Sequence, residues 1–69
     1  MITKRDLLIT KHASDKMVIE GISIDQICEA LNKGSKFKQT DGYLAVYTYF
    51  SVSYKIMENK YKIKTVFLN

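Results

Sequence analysis

The sequence predicts an α+β domain with two amino-terminal helices packed on one face of a four-stranded antiparallel sheet. Three observations predict it. Thr10 to Gly34 carries helical spacing and helix punctuation. After Gly34 the apolar residues alternate instead, and they are rich in aromatic and β-branched types, which suit strands. Turn signals at Asp41-Gly42 and at Glu58-Asn59-Lys60 divide that half into strands.

The second helix is marked most clearly. Ser23 and Gln26 have the spacing of a capping box, with Ile22 and Ile27 placed as a hydrophobic staple around it. Ile24, Ile27, Cys28 and Leu31 fall at i, i+3, i+4 and i+7, one apolar stripe. Lys33 in the last turn suits the helix dipole, and Gly34 follows as the expected C-cap. The first helix takes Thr10 as its N-cap and ends at Gly21, with Ala13 and Met17 sharing a face. His12, Lys16 and Glu20 lie four apart on a neighbouring face.

Residues 1–9 read as a short extended or irregular lead-in. Thr3 and Asp6 could open a helix, and Leu7-Leu8-Ile9 could form a short strand.

Residues 35–40 alternate around Phe37, as a half-exposed edge strand would. Asp41-Gly42 is expected at the centre of a type I′ turn. Residues 43–50 form the next strand and 51–57 the third, joined by a tight turn near Phe50-Ser51 or by a bulge. Asn59 is the expected left-handed residue of the following turn, and 61–68 is the last strand. Alternation turns Val52, Tyr54, Ile56, Tyr61, Ile63, Thr65 and Phe67 toward the helices. It leaves Lys55, Lys62 and Lys64 on the outer face, with Val66 and Leu68. Tyr43, Tyr47 and Tyr49 are assigned outward too, because Leu44 and Val46 suit a helix-facing side.

With 69 residues the chain is one domain and buries only about 60% of its unfolded surface, so dimerisation would add burial. No apolar run approaches the roughly 20 residues of a membrane helix, and the opening MITKRDLLIT lacks a signal-peptide core. A reducing cytoplasm is the expected location. A single cysteine excludes an internal disulfide, and Cys28 on the apolar stripe reads as a small hydrophobe.

The net charge of +4 is unevenly distributed. Residues 1–32 hold four cations and five anions; residues 33–69 hold seven lysines against Asp41 and Glu58. The basic half is the sheet half, which points to an anionic partner such as RNA. Lysines neutralise phosphates and aromatic rings stack unpaired bases. Lys55, Lys62, Lys64, Tyr47 and Tyr49 are therefore the candidate nucleic-acid surface. His12, Lys16 and Tyr47 are the candidates for catalysis: lysines would stabilise a pentavalent phosphate while His12 or a tyrosine moves the proton. One histidine and scattered carboxylates give no zinc spacing, and no phosphate loop, serine–histidine–acid signature or dinucleotide fingerprint is present. No metal and no cofactor are expected.

The run His12-Ala13-Ser14-Asp15-Lys16-Met17-Val18-Ile19-Glu20-Gly21-Ile22-Ser23 resembles the opening of a prokaryotic family of domains of unknown function. Its members start His-Ala-x-x-Arg-Met-x-x-Arg-Gly-Ile-Ser and end in a Thr-Val-like strand, as Lys64-Thr65-Val66-Phe67 does here. That family is distantly similar to RelE/ParE-like toxins. The resemblance implies helices on a curved antiparallel sheet, metal-independent cleavage of RNA in some members, and an antitoxin-like protein partner. Lys16 replaces the first of the two arginines and Glu20 reverses the charge of the second, which argues against nuclease activity. The expected function is RNA-binding or toxin-like. The alternative is a non-catalytic, homodimeric protein-interaction module joined through the edge strand at 36–40 or the last strand at 61–68.

Overall fold

Local punctuation sets the helices. The computed structural model describes residues 1–69. It opens with a single 3-10 turn at Lys4–Asp6, where the Thr3 amide donates to the Asp6 carboxylate at 2.9 Å. There follow β1 (Leu7–Ile9), α1 (Lys11–Glu20), α2 (Ile24–Lys33), β2 (Ser35–Gln39), β3 (Gly42–Tyr47), β4 (Phe50–Met57) and β5 (Lys60–Leu68). Thr10 caps α1 by accepting from the Ala13 amide at 3.0 Å, and Gly21 closes it in the left-handed conformation. Ser23 and Gln26 make the reciprocal capping box of α2 at 2.8 and 3.2 Å.

The sheet corrects the expected four antiparallel strands. It has five, ordered β1-β5-β4-β3-β2, and β1 runs parallel to β5 with Leu7 opposite Tyr61 and Ile9 opposite Ile63. A parallel partner needs a long crossover between the two strands, and here the helices and the whole β2–β4 meander supply it. Three residues are too few to display alternation, so β1 looked like a lead-in.

Both helices cover one face, α1 over β5 and α2 over β3 and β4. The core combines Ala13, Ile27, Ala30 and Leu31 with Ala45, Phe50, Val52, Tyr54, Ile63 and Val66. Ala45 stands opposite Val52 and Tyr43 opposite Tyr54, so Tyr43, Ala45 and Tyr47 face the helices. The expected outward side for these tyrosines is thereby corrected. Small Ala45 lets α2 ride close on β3, and Leu44 and Val46 take the outer side. Gly34 is the C-cap of α2, its amide donating to the Ala30 carbonyl at 2.9 Å, but it serves the same close approach and is not left-handed. Its backbone is extended, and a Cβ there would lie 2.6 Å from the Ala30 oxygen and 2.7 Å from the Val46 oxygen.

The register of β4 on β5 slips between Ser53 and Tyr54. Ser53 pairs with Thr65 and Tyr54 with Ile63, leaving Lys64 as the extra residue of a bulge. Ile63 and Val66, three apart, are consequently both buried, and Phe67 turns outward. This reverses the expectation for Val66, Phe67 and Leu68.

The turns also fall differently. Thr40 and Asp41 form the β2–β3 loop, and Gly42 behind them carries the positive φ of 119°. The β3–β4 turn is Thr48-Tyr49, two residues before the expected place, with Thr48 at φ 50°. In the β4–β5 turn Glu58, not Asn59, is left-handed, at φ 54°.

Candidate nucleic-acid interface

The face of the sheet that neither helix covers is built by the residues alternating with the core. Lys55 and Lys62 stand directly opposite each other on β4 and β5. Like charges in that arrangement repel. The β2–β3 turn supplies the compensating anion. Gly42 passes so close to β4 that a Cβ on it would lie 3.5 Å from the Lys55 Cα, which brings Asp41 within reach. Lys55 Nζ lies 3.2 Å from Asp41 Oδ1 and Lys64 Nζ lies 3.6 Å from Asp41 Oδ2. Lys64 Nζ also donates to the Asp41 carbonyl at 2.7 Å. Lys62 makes no ion pair, so two of the three lysines share one anion and the third is unmatched.

The hydrogen bond from Lys55, followed by the charges of Lys55 and Lys64, holds the Asp41 carboxyl below its ordinary value. A lowered folded-state value means that these contacts stabilise the fold at neutral pH. Their contribution is lost as pH falls through the lowered value, because the folded and unfolded forms then bind the same proton. The thermal midpoints of the native chain and of Asp41→Asn are expected to differ at neutral pH and to converge in strong acid. A constant gap from neutral to acid would show that the carboxylate charge is not what matters.

Beside the lysines the open face carries hydroxyls and two aromatic rings. One row runs Phe37, Leu44, Ser53 across β2, β3 and β4; the next runs Val46, Ser51, Phe67 across β3, β4 and β5. Phe37 is 55% exposed and Phe67 38%. Ser51 is buried at the floor, its hydroxyl donating to Asn69 Oδ1. Sequence reasoning did not place these phenylalanines in the site. The signal for Phe37 was present, a lone aromatic alternating with Lys36 and Lys38. The bulge at Lys64 concealed Phe67.

The lysines therefore converge, whereas the tyrosines expected beside them lie elsewhere. Tyr47 is half-buried on the helix side, its ring edge-on to Phe50 with centroids 6.1 Å apart. Tyr49 lies in the β3–β4 turn, where its hydroxyl accepts from Gln26 Nε2 of α2 at 2.9 Å. On that same side Tyr43, Tyr54 and Tyr61 form a ladder, with centroids 5.7 and 6.0 Å apart. Burial, then the neighbouring Tyr61 and Tyr43, pushes the Tyr54 hydroxyl above its ordinary value.

The catalytic candidates each have a separate partner. His12 Nε2 lies 3.1 Å from Thr65 Oγ1 at β5. Lys16 is paired with Glu20 at 3.2 Å, with only 29% and 22% of the two side chains exposed. Glu20 is thus the partner of the lysine one turn before it. Tyr47 belongs to β3 and has neither of them as a partner.

Cys28 is half-buried against the core, and burial, then Asp25 and Asp6, raises its thiol above the ordinary value. That keeps it protonated and a poor nucleophile near neutral pH. No group of three or more His, Cys, Asp or Glu side chains is placed to hold a metal ion. No helix is long and apolar enough to cross a membrane. No family model matches this chain, and neither the curated proteins nor the solved structures contain a match to it.

Proposed function

We propose that this domain binds single-stranded RNA on the uncovered face of its sheet. One observation carries the reading: Lys55, Lys62 and Lys64, from two adjacent strands, share the face that neither helix touches. Ammonium groups so placed neutralise consecutive phosphates, and the exposed rings of Phe37 and Phe67 offer unpaired bases a stacking surface. The phenylalanines take the part first given to Tyr47 and Tyr49. No catalytic role is assigned, because His12, Lys16 and Tyr47 each have a different partner and do not form a proton-transfer pair.

Anisotropy of a labelled oligouridylate, measured over a range of salt, tests this. The double variant Lys62→Ala/Lys64→Ala is expected to bind roughly tenfold more weakly at low salt, with a salt slope shallower by about 1–2. Absent binding by the native chain at low salt, or an unchanged double variant, would refute it.

A protein-interaction reading is favoured by the fully exposed edge strand β2. Its homodimeric form meets an obstacle. Antiparallel self-pairing centred on Phe37 would set Lys36 of one copy opposite Lys38 of the other, and such like-charge pairs are destabilising. A dimer whose population rises with concentration in sedimentation, without RNA affinity, would favour this second reading over the first.

A further inference from the structure

We infer that Lys55 and Lys64 form a phosphodiester-binding site that the Asp41 carboxylate occupies in the free domain. The inference rests on the RNA-binding reading of the same face and adds to it a defined phosphate position and an internal competitor.

The geometry is that of a two-oxygen anion held between two ammonium groups. Lys55 takes one carboxylate oxygen at 3.2 Å and Lys64 takes the other at 3.6 Å. A phosphodiester presents the same pattern: two equivalent free oxygens sharing one negative charge. It can stand where the carboxylate stands with little rearrangement of either lysine.

Three features make the carboxylate displaceable. Asp41 lies in a two-residue loop with its side chain 66% exposed. Its oxygens have no partner other than these two lysines. Lys64 also has a second anchor, the Asp41 carbonyl at 2.7 Å, so its ammonium stays at the turn when the carboxylate leaves. Lys62, opposite Lys55 and without an ion pair, keeps the locus cationic even with Asp41 in place. Occupation by RNA is then an exchange of one anion for another. Asp41 lowers affinity at this position without abolishing it, and it rejects any anion too weakly held by the rest of the face.

Asp41→Asn removes the charge and suits the turn, since asparagine is as common in such loops as aspartate. Asp41→Ser is the second variant, should the first fold poorly. Binding of the labelled oligouridylate at low salt is expected to tighten by about three- to tenfold in either variant, with a steeper salt dependence. In a Lys55→Ala/Lys64→Ala background the gain from Asp41→Asn is expected to fall below twofold. If the native chain binds RNA and both Asp41 variants bind equally or more weakly, the inference is overturned and the RNA-binding reading stands. An undiminished gain in the Lys55→Ala/Lys64→Ala background would also overturn it, since the effect would then be general charge. Failure of both the native chain and the Asp41 variants to bind overturns the RNA-binding reading and this inference together.

Discussion

Phe50→Ala is expected to lower stability by about 3–5 kcal/mol, as full truncation of a buried phenylalanine does. A chain of 69 residues has roughly 3.5–10 kcal/mol in total at about 0.05–0.15 kcal/mol per residue, so much of this variant would be unfolded. Phe50 is 1% exposed and is the first residue of β4. Its ring meets Tyr49 and Tyr47 edge-on, with centroids 5.4 and 6.1 Å away. Each such pair adds about 0.5–1.5 kcal/mol beyond area burial. The ring therefore fastens the β3–β4 turn to the core as well as filling it. Urea unfolding followed by circular dichroism measures the loss. Phe50→Leu, which keeps most of the volume, should cost far less. A loss below about 1 kcal/mol for Phe50→Ala would mean that the cavity collapses freely.

Gly42→Ala is expected to cost about 3 kcal/mol or more, for two reasons that act together. The position has φ 119°, outside the range that a side chain tolerates well. An added Cβ would also lie 2.3 Å from the Tyr54 carbonyl oxygen, a backbone atom that cannot rotate away. Relief requires the β2–β3 turn to lift off β4. The same movement would carry Asp41 away from Lys55 and Lys64. The variant should thus show a lower thermal midpoint and an Asp41 carboxyl returned toward its ordinary value by NMR titration. A native midpoint in Gly42→Ala would show that the turn has room that the backbone approach denies.

The helix ends were legible because their physics is local. Thr10 with Ala13, and Ser23 with Gln26, lie three residues apart, and the chain between them suffices to identify them. The lysines were legible for a related reason: Lys55 and Lys62 alternate with buried Tyr54 and Ile63 on their own strands. The side of β3 was not legible. Leu44 and Val46 are as apolar as Tyr43, Ala45 and Tyr47, and only the packing of α2 against Ala45 decides between the two sets. The bulge at Lys64 left no mark, since neither glycine nor proline stands near it. Thr48 and Glu58 adopt left-handed conformations that their side chains disfavour, so the register of the strands, rather than turn propensity, fixes those corners. At the candidate site the outward side of the lysines was foreseen and that of Phe67 was not, because one inserted residue exchanges the two sides of everything that follows it.

The pairing of Leu7 with Tyr61 closes a loop of 54 residues (61 minus 7), whereas β2 and β3 are joined across two. Bringing such distant positions together costs about 3.5 kcal/mol of chain entropy by the (3/2)RT ln n relation, before any constant. Three residues of ladder, helped by the packing of α1 on β5, must meet that cost, while β2 to β5 are already held to one another by neighbouring hairpins. Fraying therefore begins at this seam, and the antiparallel ribbon that bears the lysines can persist after its amino-terminal border has come away.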